Sequence, residues 1–194
     1  MDFDLSEEQR MLKDSVDRLV ADKYDFDKRK AYLKNEHGFS REVWAQFADL
    51  GLLALPFAEA DGGFGGGPVE TMIVMESLGR ALAVEPYLAT VVLSGGVLRH
   101  AASEAQRAEF VPQIASGEKI FALAHHERAA RYNLSHVSTK ATRDGDGYVL
   151  DGEKSLVLNG DAADWLIVSA RVSGGARDEN GIGLFLVDAR APGV

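Results

Sequence analysis

The sequence predicts an α+β chain: an all-helical domain over residues 1–118, then an incomplete antiparallel β domain over residues 119–194. Three observations carry this. Apolar residues recur at helical spacing early in the chain, as in Leu12, Val16, Leu19 and Val20. Past Gly117 the spacing gives way to short β-compatible runs, among them Tyr148–Leu150, Leu166–Val172 and Ile182–Val187. Asp144-Gly145-Asp146-Gly147 marks a hairpin, because the left-handed backbone of tight hairpin turns favours glycine and aspartate.

The helices are bounded by local signals. Ser6 and Gln9 have the spacing of a capping box, in which each side chain satisfies the other's free backbone N–H. Asp27 to Leu33 predicts a short charged helix ended by Asn35 to Gly38. Ser40 opens a third, with Val43, Phe47 and Leu50 on one side and Trp44 beside them, and Gly51 ends it. Asp61 to Gly67 is read as a mobile loop, and Pro68 suits the first position of the helix that follows, where its missing N–H goes unneeded. That helix runs to about Val84, with apolar residues on more than one side. Pro86 opens the next, through Leu88, Val91, Val92 and Leu98; its Gly95-Gly96 pair permits close approach by another chain or a ligand. Ser103 and Gln106 repeat the capping-box spacing.

Composition narrows the function. With 194 residues, 46% hydrophobic and 26% charged, the chain can build a packed core and a solvated surface. A net charge of −9 argues against a broad nucleic-acid footprint, which needs clustered lysine and arginine. Cysteine is absent, so there is no disulfide, thiolate metal site or thiol nucleophile. The acidic start lacks the basic and apolar regions of a signal peptide, and no apolar run approaches the ~18 residues of a membrane span. A cytoplasmic protein is expected.

Several motifs invite chemistry that their context withholds. The glycines of 62–67 lack the Lys-Ser or Lys-Thr of a phosphate loop. Adjacent residues His125-His126-Glu127 point to opposite faces of a strand, and the helical two-histidine zinc spacing is missing. The two histidines are read as surface or interface residues. Asp144 and Asp146 resemble the start of a calcium loop, but Ser155 stands where the closing glutamate belongs.

An ordered series of segments resembles the acyl-CoA dehydrogenase family. It runs from Leu5-Ser6-Glu7-Glu8-Gln9 through Trp44, Phe47 and Leu50-Gly51-Leu52-Leu53-Ala54-Leu55 to Gly62-Gly63-Phe64-Gly65. Glu76-Ser77-Leu78-Gly79-Arg80, Pro86, Ser103-Glu104-Ala105-Gln106-Arg107 and Gly117-Glu118 follow. Asp144 to Lys154, Asn159-Gly160 and Ala163-Asp164 complete it. Within the family the chain looks most like the small subunit of a pimeloyl-CoA dehydrogenase. The resemblance implies a helical domain, a β domain and a four-helix C-terminal domain that this sequence lacks. It implies FAD as cofactor, an acyl-CoA substrate, an electron-transfer flavoprotein as oxidant, and a homologous large subunit or a homo-oligomer as partner. It implies a carboxylate base beyond Val194, so no catalytic residue is assigned here. Phe121, Leu123, Ala124, Ala130, Leu156 and Leu158 align with the family's flavin-facing positions.

Four of those positions, Ala124, Ala130, Leu156 and Leu158, depart from the family pattern. Ala124 replaces a threonine, Ala129-Ala130-Arg131 replaces Gly-Ser-Asp, and Leu156-Val157-Leu158 replaces an aromatic residue, isoleucine and a hydroxyl residue. A leucine at 158 cannot donate to flavin N5, and one neutral hydrogen bond is worth only roughly 0.5–1.5 kcal/mol. Together the losses point to a relaxed flavin site. Two alternatives stay open: a flavin-poor structural subunit of a heteromer, and an oxygen-using relative on the same fold. Arg80 and Arg99 are candidates to meet a carboxylated acyl tail.

Overall fold

A computed structural model describes residues 4–194, and the chain divides into two compact units, the first ending at Lys119 and the second spanning Ile120–Val194. The first unit is helical: α1 (Glu7–Lys23), α2 (Phe26–Tyr32), α3 (Arg41–Asp49), α4 (Pro68–Arg80), α5 (Gly95–Ala101) and α6 (Glu104–Ala115). Both capping boxes form: Gln9 and Gln106 amides donate to Ser6 and Ser103 hydroxyls, and the glutamine side chains accept from the serine amides. Pro68 is the first residue of α4, and Glu70 accepts from the Gly67 amide at 2.7 Å. The core comprises Val16, Phe47, Leu53, Phe57, Val74, Val91, Val111 and Ile114, all fully buried. Polar ties cross it. Ser77 donates to Asp17 at 2.5 Å and Gln9 to Glu70 at 2.7 Å, joining α1 to α4. Trp44 Nε1 donates to the Gly117 carbonyl at 3.0 Å.

Three helical expectations change. The helix through Met72 stops at Arg80 rather than Val84, and Leu82 then takes a left-handed backbone (φ 53°). The element opened by Pro86 begins as a π-helical stretch, Leu88–Ser94, before becoming α5. Wide turns of this kind are frequent at functional sites. The glycine-rich segment is pinned rather than loose. Amides of Gly63, Phe64, Gly65 and Gly66 donate in turn to the carbonyls of Ala58, Ala54, Phe57 and Leu55. A Cβ at Gly63 would lie 2.2 Å from the Phe57 carbonyl oxygen, so only glycine permits this approach.

The second unit is a five-stranded sheet of β1 (Phe121–Ala124), β2 (Lys140–Asp144), β3 (Gly147–Asp151), β4 (Trp165–Arg171) and β5 (Ile182–Asp188). The sheet is mixed, not antiparallel throughout. β4 is central and pairs parallel with β1, from Phe121↔Trp165 to Ala124↔Val168, and antiparallel with β5. It meets β2 in parallel at Lys140↔Arg171, while β2 and β3 form the predicted hairpin closed at Asp144↔Gly147. The parallel pairs arise because β1 and β4 are far apart in sequence, and the chain between them returns β4 in the same direction. A tight turn reveals its own pairing; a long return does not.

Arg171, 7% exposed, fixes the loops at one end of the sheet. Its five N–H groups go to the carbonyls of Val137, Asp178, Asn180, Ser135 and Ala176, at 2.7–3.4 Å, with no carboxylate among them. Among the described residues no helix is long and apolar enough to cross a membrane.

Candidate functional site

The predicted flavin-facing residues divide by burial. Phe121, Ala124 and Ala130 are buried within the second unit, and Phe121 stacks on Trp165 at 6.5 Å between ring centroids. Leu123 is half-buried. Leu156 and Leu158 instead face outward, 82% and 51% exposed. The two stand on either side of Val157 in one short stretch.

The backbone of that stretch is strained. Leu156 and Asn159 both adopt the left-handed region, at φ 53° and 54°. A branched residue there costs on the order of 1–3 kcal/mol and persists only where its surroundings enforce it. Ties lie on both sides. Before it, the Ser155 amide donates to the His126 carbonyl at 2.9 Å, and the Ser155 hydroxyl meets His126 Nδ1 at 3.1 Å. After it, the Gly160 amide donates to the Val157 carbonyl at 3.1 Å and a 3₁₀ turn runs from Gly160 to Ala162. Between the ties, the amides of Leu156, Val157 and Leu158 have no acceptor among the described residues.

An ion pair lies just before the strained stretch. Glu127, 5% exposed, accepts from Lys154 Nζ at 2.7 Å, from the Thr139 amide at 3.0 Å and hydroxyl at 2.7 Å, and from the Ser138 amide at 2.7 Å. Lys154 Nζ also meets the Ser169 hydroxyl at 3.1 Å. Burial pushes the Glu127 carboxyl up, but Lys154 and the donors of Thr139 and Ser138 outweigh it and hold it at about 2. A cleft of about 290 Å³ opens beside it, lined in part by Glu127, Arg128, Thr139 and Glu153. The sequence placed His125 and His126 at a surface or interface. Only His125 is exposed; His126 is half-buried and Glu127 is buried. Among the described residues no cluster of three or more histidine, aspartate or glutamate side chains could hold a metal ion.

In the helical unit the Gly95-Gly96 pair separates into two roles. A Cβ at Gly95 would come within 2.8 Å of the Phe57 ring, so Gly95 is a packing notch, whereas Gly96 has nothing within 4 Å. Ser94 Oγ and Arg99 Nε close to this pair are buried without a hydrogen-bond partner among the described residues. Arg99 spends one nitrogen on the Pro56 carbonyl at 2.8 Å. Arg80 is occupied, 3.0 Å from Glu76 and 3.9 Å from Asp17.

A helical unit is followed by a mixed sheet, with an apolar stretch beyond its third strand. Comparison with known proteins gives one family for both units. The profile described as "Acyl-CoA dehydrogenase, N-terminal domain" matches residues 6–118, and "Acyl-CoA dehydrogenase, middle domain" matches 122–194. The chain belongs to the acyl-CoA dehydrogenase family. It is 31% identical to acyl-CoA dehydrogenase FadE29 of Mycobacterium tuberculosis, covering 100% of this chain and 50% of that protein. It is 34% identical to the mitochondrial isovaleryl-CoA dehydrogenase of Pongo abelii, covering 97% of this chain and 45% of the relative. In structure it is similar to a chain of the ChsE4–ChsE5 complex of Mycobacterium tuberculosis, with TM-score 0.85 and 31% identity over 100% of this chain and 50% of that one. The chain thus spans about half the length of the curated relatives it matches.

Proposed function

We propose that this chain supplies the first two domains of an FAD-dependent acyl-CoA dehydrogenase subunit, working with a homologous partner in α,β-dehydrogenation of an acyl-CoA thioester. One observation carries the flavin part of this reading. Leu156 to Leu158 form an exposed, backbone-strained stretch whose three amides lack acceptors. Unpaired amides are strong obligatory donors, and beside an apolar surface they suit a flat ring with acceptors along its edge. FAD, when bound, would accept the hydride from the β-carbon. Leu156 and Leu158 would cover its ring and exclude water, and the amides of the stretch would orient it. Phe121, Leu123 and Ala124 of β1, and Ala130 in the turn after it, would support this surface. No residue of the chain is assigned as the base.

The partner reading rests on two supports. Neither Ala124 nor Leu158 can supply a side-chain donor, and the ChsE4–ChsE5 neighbour is by its name a complex of two components. An electron-transfer flavoprotein is the proposed oxidant. For the acyl group, the resemblance to a pimeloyl-CoA dehydrogenase subunit favours a carboxylated chain, and Arg99, with its spare Nε donor, is the better-placed cation.

Titrating FAD into the chain, alone and with its homologous partner, tests this. Weak binding alone and tight binding with the partner, together with acyl-CoA-dependent dye reduction, is the expected result. Leu158→Thr, which restores a hydroxyl, should tighten FAD binding about 2–10-fold, the worth of one neutral hydrogen bond. Tight flavin binding and turnover by the chain alone would remove the need for a partner. Absence of flavin binding in both preparations would overturn the reading.

A further inference from the structure

We infer that Glu127 and Lys154 are positioning residues, a buried clamp that holds Leu156–Leu158 in its strained, outward-facing conformation so that it can receive a flat ring. The inference deepens the flavin reading above and rests on it for the identity of the ring. Its structural part stands alone.

The clamp gathers four separate stretches of chain. Glu127 follows β1, Ser138 and Thr139 precede β2, Lys154 follows β3, and Ser169 lies within β4. Both members of the pair are buried, with side chains 6% and 8% exposed. Buried charges without partners are strongly unfavourable, so a pair satisfied on this scale defines one arrangement and excludes its neighbours. Gly152 tightens the same point. Its backbone (φ 155°) passes so close to Thr139 that a Cβ would lie 2.6 Å from the Thr139 Cα. The chain between Gly152 and Ser155 is therefore fixed by backbone contact, ion pair and two bonds to His126 in succession.

Leu156 comes next, and its left-handed backbone has no local cause. It is not glycine, asparagine or aspartate, the residues that adopt this region at least cost. Its side chain gains nothing from burial either, being 82% exposed. The conformation is thus imposed from outside the residue. The clamp is the rigid neighbour immediately upstream. Strain enforced at a surface that buries nothing of its own is the pattern expected where a ligand completes the packing.

The test uses the chain of residues 1–194 and two readouts, amide hydrogen exchange and FAD titration by fluorescence quenching. Glu127→Gln and Lys154→Met are expected to speed exchange of the Ser155 and Gly160 amides at least 10-fold more than that of Ile167 to Ala170 of β4. FAD binding should weaken by a comparable factor. Lys154→Arg, which keeps the charge, should retain both properties should either disruptive variant fail to fold. Leu156→Gly, which removes the strain, should restore slow exchange at Ser155 and Gly160 in the Lys154→Met background. A purely structural pillar gives a different result: β4 amides would accelerate in step, and Leu156→Gly would restore nothing. That result, or unchanged exchange in Glu127→Gln and Lys154→Met, overturns the clamp. If the unsubstituted chain and its complex bind no FAD while exchange follows the expected pattern, the clamp stands and the flavin reading falls.

Discussion

Each compact unit buries one glutamate to nearly the same depth, Glu85 at 7% exposure in the helical unit and Glu127 at 5% in the sheet, and their chemistry diverges. Glu85 has only neutral donors: the Tyr24 hydroxyl, and the Ser40 amide at 3.3 Å. Tyr24 in turn accepts from the Val84 amide at 3.1 Å. Burial raises the Glu85 carboxyl to about 7, only partly opposed by the amides of Glu85, Ser40 and Val84. Glu127 feels burial too, yet Lys154 and the donors of Thr139 and Ser138 bring it to about 2. Depth alone does not set the charge of a buried carboxyl. A single ammonium at 2.7 Å, with three donors around it, reverses the direction.

The largest test of this contrast removes the cation. Lys154→Met leaves Glu127 buried and unpaired, and should destabilise the second unit by roughly 3–5 kcal/mol. Urea denaturation followed at Trp165, in a Trp44→Phe background, reads that unit. Signals from Trp44 in a Trp165→Phe background should be far less affected.

The pH dependence of the two units should run in opposite directions. Glu85 keeps its proton to about pH 7 in the folded unit, against 4.5 when unfolded. The folded state then binds more protons across that window, so stability is greatest below 4.5 and declines as pH rises through 7. Glu127 goes from 4.5 when unfolded to about 2 when folded. Its contribution is complete above 4.5 and is lost as pH falls towards 2. Each effect is on the order of 3 kcal/mol. Glu85→Gln should flatten the neutral-range slope of the helical unit and leave the acid-range slope of the sheet. A helical unit equally stable from pH 4 to pH 8 would remove the contrast.

The smallest effect probes how Glu85 is held. Tyr24→Phe deprives both Glu85 and the Val84 amide of a partner, and should cost the helical unit roughly 1–3 kcal/mol. If Trp44 reports no change in urea midpoint, the Tyr24 hydroxyl is not part of what keeps Glu85 buried.

Much of the fold was readable because its causes are local. Ser6 with Gln9, Ser103 with Gln106, Pro68 and the Asp144–Gly147 turn act over at most three residues, and each formed the predicted feature. The mixed sheet was not readable, since β1 and β4 align through a long return that leaves no local mark. The Gly95-Gly96 pair announced a close approach without saying which glycine makes it; the Phe57 ring, 38 positions earlier, decides. Glu127 was hidden for the same reason. Nothing beside it along the chain marks it as half of an ion pair, because its partner Lys154 lies 27 positions away.

The sequence by itself determined where helices and the hairpin begin and end, which residues are apolar enough to fill two cores, and, through an ordered series of short segments, the family. Tertiary structure alone decided which carboxyl is charged, which glycine is a notch, and which leucines face outward. Capping and turn formation depend on neighbours along the chain, so the chain records them. Burial, ion pairing and enforced strain depend on neighbours in space, which exist only once distant segments have packed.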